Sequence, residues 1–128
     1  MSRSPRENEM DQIKGRIGGL ASFKNYSGDK LVTDAEKIAD SIRNLKTAQL
    51  RRIYGEVKRM EMDFEKSGEF SRDRVVLLKP RLAYAASKKS DVRPLAEIFS
   101  KCIDKIGDRD DFRRFVNFFE AILAYHKG

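Results

Sequence analysis

Arg51 and Lys58, Arg52 and Arg59, and Arg74, Arg81 and Lys88 each recur at steps of seven residues. Seven residues are about 10.5 Å of helix axis, close to two turns, so on helices these side chains form rows of positive charge on single faces. Such rows suit the phosphates of a nucleic-acid backbone. Lys79 adds a cation off the second row, and the small Gly55 between the cations of the first would let a backbone approach closely. Tyr84, beside the second row, is either a platform for a base or ribose or half-buried packing. The same cations also read as nothing more than a solvated helix face.

Catalytic patterns are missing. The chain has no GxxxxGK[ST] phosphate loop, no HExxH and no GxSxG. Its one histidine, His126, falls on the same stripe as Phe112, Phe119 and Leu123, which suits a packed or chain-end residue; an enzyme built on it is the outlying alternative. Cys102, the single cysteine, lies between Phe99 and Ile106 on an apolar face as a small core residue, so neither a disulfide nor a cysteine metal site is expected. Asp104, Asp108, Asp110 and Asp111 could attract a divalent ion. They surround Lys105 and Arg109 and span a helix stop and the next start, and capping explains them better. No catalytic residue, metal ligand or cofactor is expected.

The elements that must carry the cations follow from composition and punctuation. A length of 128 residues without a composition break predicts one compact domain, and 40% hydrophobic residues provide a core. The 27 Lys and Arg against 20 Asp and Glu give +7, which favours polyanionic partners. No run approaches the roughly 18 apolar residues of a membrane span, and the first residues, MSRSPRENEMDQ, lack the apolar segment of a secretory signal. A cytoplasmic protein with no membrane partner is expected.

Glycine is concentrated in residues 1–32, which read as a flexible, partly disordered N-terminal arm: disorder over 1–8, then a short helix or docked strand around 10–23 weakened by Gly15, Gly18 and Gly19. The helical bundle domain is expected over 33–128. Thr33 and Glu36 form a capping box for a first helix over 34–45. Thr47 caps a second to about residue 66, with Leu50, Ile53, Tyr54, Val57 and Phe64 inward, and Ser67 and Gly68 stop it. Ser71 starts a third, over 71–88, kinked by Pro80 near its middle. Pro94 opens a fourth that Gly107 terminates, and a fifth over 110–126 carries the broad stripe of Phe112, Phe115, Val116, Phe119, Ile122 and Leu123, which makes it central. No strand pattern competes. The reading is an all-α, compact five-helix bundle.

Three segments, LKTAQLRRIYGEVKR, VVLLKPRLAYAASKK and FRRFVNFFEAILAYHKG, in that order and in a chain of this size, closely resemble the small subunit of the type III-A CRISPR effector, the Csm complex. The likeness runs over about residues 33–128. It implies a non-catalytic five-helix bundle, present in several copies that self-associate head to tail in the interior of an antiviral ribonucleoprotein. It implies contact with the backbones of guide RNA and target RNA without sequence readout, and with the backbone subunits and the large polymerase-like subunit that do the cutting and the cyclic oligoadenylate synthesis. On this resemblance Arg51, Arg52, Lys58, Arg59, Arg74, Lys79, Arg81 and Lys88 are the candidate RNA-binding residues. The alternative is a helical adaptor whose basic face docks an acidic protein partner.

Overall fold

Every third or fourth residue between Asp111 and Ile122 is apolar, and this segment lies at the centre of the molecule. The structure is a computed structural model and describes residues 4–127. In it Arg109–Tyr125 forms the last helix, α7, with Phe112, Phe115, Val116, Phe118, Phe119 and Ile122 all buried. Around it stand α1 (Pro5–Gly18), α2 (Gly28–Ser41), α3 (Thr47–Ser67), α4 (Arg72–Val76), α5 (Leu78–Lys88) and α6 (Arg93–Ile103). Single 3-10 turns occupy Phe23–Asn25 and Ser90–Val92, and there is no strand among the described residues. The all-α expectation holds. Among the described residues the helix number is higher than five, being seven, or six with α4 and α5 taken as one broken helix.

Helix α2 and helix α3 pack directly on α7, α5 packs on α6, and α1 packs on α6 and α2. Phe99 of α6 couples the two halves, with its ring centroid 4.9 Å from Phe115 and 4.8 Å from Phe119. Edge-to-face aromatic contacts of this kind add stability beyond the apolar area they bury.

The extra helix comes from the segment read as an arm. Residues 5–32 are built into the core: Met10, Ile13 and Ile17 of α1 are buried, and Phe23 and Tyr26 pack against Phe118 of α7 at 5.9 and 5.3 Å. The disorder expected over 1–8 therefore fails from Pro5 onward, while residues 1–3 lie outside the described residues. The boundary expected at residue 33 falls inside α2. Two carboxylates fasten this segment. Buried Asp34 accepts from the Arg16 guanidinium at 2.9 and 3.1 Å and from the Tyr26 hydroxyl. Buried Asp111 accepts from the Ser22 hydroxyl and from the backbone N–H groups of Lys24 and Gly107, each at 2.8 Å. A buried carboxylate needs such partners to offset its lost hydration.

Four helix boundaries differ from expectation. Ser27, not Thr33, caps α2 by accepting from the Lys30 N–H, because buried Leu31 extends the apolar stripe one turn upstream; Thr33 instead donates to the Asp29 carbonyl. Thr47 is the first residue of α3 and no side chain caps it. The break between α4 and α5 falls at Leu77 and not at Pro80. Pro80 has no N–H for the Val76 carbonyl and its ring crowds that carbonyl, so the disruption appears one turn before the proline, which then sits in the first turn of α5. Helix α6 ends at Ile103, before Gly107. Ser71 caps α4 as expected, and Gly68 ends α3 in the left-handed conformation at φ 76°.

Candidate nucleic-acid interface

Helices α3 and α4–α5 form an antiparallel hairpin about the turn at Gly68. They lean on different supports, α3 on α7 and α5 on α6, and a groove opens between them. Its wider part, about 680 Å³, is lined by Gln49, Arg52 and Glu56 from α3 and by Arg81, Leu82, Tyr84, Ala85 and Lys88 from α5, with Phe99 and Phe115 beneath. A narrower part of about 250 Å³ continues toward the turn and adds Arg59, Met60, Arg74 and Leu77. Glu56, Leu78 and Arg81 line both parts.

Each wall is a stripe at alternating steps of three and four. On α3 it runs Gln49, Arg52, Glu56, Arg59, Asp63; on α4–α5 it runs Arg74, Leu77, Arg81, Tyr84, Lys88. Because the hairpin is antiparallel, each descent of seven residues on one wall matches an ascent of seven on the other. Arg74 thus bonds Asp63 at 3.1 Å and Arg81 meets Glu56 at 3.6 Å. At the wide end the residue on the α3 wall is Gln49, a neutral amide, and Lys88 lies 5.3 Å over the Tyr84 ring instead of in an ion pair. Arg52 and Arg59 are exposed and make no ion pair with any described residue. Tyr84 is 65% exposed and Leu77 58%. Half-buried packing, one reading of Tyr84, is thereby excluded.

Five of the eight candidate residues, Arg52, Arg59, Arg74, Arg81 and Lys88, line this one groove. The other three do not. Lys58 sits toward α7, bonded to Glu61 at 2.7 Å with Glu120 at 3.9 Å, and the bond to Glu61 raises its ammonium pKa above the ordinary value. Lys79 turns to the opposite side of α5 and bonds Asp104 of the α6 end. Arg51 is exposed but outside the groove, as is Gly55, so the close approach expected at Gly55 does not belong to this surface. The sequence reading passed over Gln49, Glu56 and Asp63. Their own step of seven, run against the step of seven in Arg74, Arg81 and Lys88, was the available signal.

The groups considered for catalysis have structural employment. His126 is half-buried, with Nε2 donating to the Ile42 carbonyl at 3.0 Å and Nδ1 3.3 Å from the Thr47 hydroxyl, so it joins the ends of α2, α3 and α7. Cys102 is buried, and burial pushes its thiol pKa well up. Asp108 caps α7 by accepting from the Asp111 N–H at 2.8 Å. Among the described residues no His, Cys, Asp and Glu are grouped to hold a metal, and no helix is long and apolar enough to cross a membrane. A groove with cationic walls and an apolar floor can bind and orient an anion with flat apolar parts.

A family model described as Csm2 Type III-A matches residues 25–128. No curated protein and no solved structure matches significantly.

Proposed function

From the membership of this chain in the type III-A Csm2 family, the small subunit of the type III-A CRISPR Csm complex, we propose that it is a non-catalytic subunit that holds RNA by its phosphate backbone. The α3/α4–α5 groove is the binding surface, and Arg52, Arg59, Arg74, Arg81 and Lys88 are its contacts. The observation that carries this reading is the convergence of two cation rows, from separate helices, on one groove in which, among the described residues, Glu56 is the only lining carboxylate, with Asp63 pairing Arg74 at its edge. The RNA is the guide strand with its target, and the role is antiviral defence in the cytoplasm. Phosphate contacts fix position without reading bases, so sequences of equal length bind alike. Arg51, Lys58 and Lys79 stand outside the contact surface.

That division gives a test with matched charge. Replacing Arg52, Arg59 and Lys88 together by Gln removes three charges from the groove; replacing Arg51, Lys58 and Lys79 removes three from elsewhere. Binding of a single RNA length is measured across a salt series. The groove variant is expected to lose affinity and to lower the log–log salt slope by about 2 to 3, while the second variant keeps most of both. Helicity by circular dichroism should match the parent in each. Equal losses in the two variants would mean that net charge, and not this groove, attracts the RNA.

A further inference from the structure

The two walls of the groove differ in kind. The α3 wall presents Gln49, Arg52, Glu56 and Arg59, all hydrogen-bonding groups, whereas the α5 wall presents the exposed ring of Tyr84 above an apolar floor. A helix from a second protein, docked in a groove, needs apolar contact along both walls. A planar group with an apolar face and a polar edge needs only one. The cations say that this group is attached to negative charge, and Lys88, whose ammonium lies 5.3 Å over the Tyr84 ring, shows that a ring face is open to a partner that a base can displace. The wide part, about 680 Å³, is of small-molecule size, and beyond the Arg81–Glu56 pair no ion pair crosses it among the described residues.

We propose that the wide end of the groove seats an unstacked base of single-stranded RNA against Tyr84, with its flanking phosphates on Arg52 and Lys88. This rests on the RNA-binding reading above and adds a preference that a phosphate track lacks. In a fully paired duplex the base faces are already stacked on one another, so the site takes a base that lies outside the paired stretch of guide and target and prefers single-stranded over fully paired RNA. Because every base has a stacking face, the selection is by strand state and not by sequence.

The test uses the full chain and three fluorescent probes of equal phosphate number at fixed salt: a single-stranded oligouridylate, the same backbone without bases, and an RNA duplex. The base-bearing strand is expected to bind on the order of tenfold more tightly than the abasic strand. Tyr84→Ala should abolish that difference, and Tyr84→Phe should restore it. Tyr84 is exposed, so neither change should disturb folding, which circular dichroism checks. Equal binding of base-bearing and abasic strands, or a Tyr84→Ala variant that keeps the difference, overturns the base site while the backbone reading stands. A duplex that binds at least as tightly as the base-bearing strand does the same. Failure of all three probes to bind overturns both, and would return the groove to an acidic protein partner.

Discussion

Asp108 illustrates how single residues of this chain are committed. It caps α7, and its carboxyl pKa is held below the ordinary 3.8 first by the hydrogen bond from Lys24, then by the backbone N–H groups of Asp111 and Asp110. A depressed carboxylate contributes stability above its unfolded pKa and loses it as pH falls through the lower folded value. Asp108→Asn keeps a good cap but cannot titrate. Its urea midpoint should therefore fall less steeply than the parent's between roughly pH 5 and pH 2. An unchanged acid slope would assign the acid sensitivity to other carboxylates. Arg81 and Arg74 face Glu56 and Asp63, so on the proposed role an arriving phosphate would compete with a carboxylate there, whereas Arg52, Arg59 and Lys88 have no such partner among the described residues.

At the scale of elements, α3 sets the near wall of the groove and its termination sets the hairpin. Gly68 holds φ 76°, a conformation that costs any residue with a Cβ, although a Cβ there would meet nothing within 4 Å. Gly55 lies in the interior of the same helix with equally open surroundings and ordinary helical φ. The two substitutions to Ala should have opposite signs: Gly68→Ala should destabilise by about 1 to 2 kcal/mol, and Gly55→Ala should stabilise by about 0.5 to 1 kcal/mol. Chemical denaturation of both variants measures this. Gly55 is outside the groove, so the stabilised variant should keep its RNA affinity. Stabilisation by both changes would mean that α3 does not end in a left-handed residue. The Arg109 guanidinium, which donates to the Phe64 carbonyl at 2.7 Å, further fixes this helix end against α7.

For the whole molecule the proposed role raises the question of how so small a bundle would serve a long RNA. We propose that copies stack head to tail, a heterologous contact that continues as a filament and does not close into a dimer. Side by side on one RNA, subunits meet at high effective concentration, so each interface can be weak. Native mass spectrometry of reconstituted complexes should show more than one copy, with copy number rising stepwise as the guide RNA and its backbone subunits are lengthened. A single copy at every length, or a closed dimer indifferent to length, would sink the filament while leaving backbone binding intact.

Local periodicity alone marked the segments that form α3, the broken α4–α5, α6 and α7, though not the break at Leu77, because a helix needs only a 3.6-residue apolar stripe and its end signals, both written within one segment; Ser71, Gly68 and Pro94 were legible for that reason. The cation rows were legible too, as faces. Which faces meet was not, since that depends on how α3 and α5 lean on α7 and α6, and no spacing within one helix encodes it. So Arg59 and Arg74 came to share a groove while Lys58 and Lys79, equally cationic in sequence, turned to Glu61 and Asp104. The N-terminal segment shows the same limit: its glycines weaken a helix judged by propensity, yet Ile13, Ile17, Phe23 and Tyr26 are buried in the core. Burial against α6 and α7, together with the carboxylates of Asp34 and Asp111, outweighs local preference there, and only the tertiary structure brings those partners together.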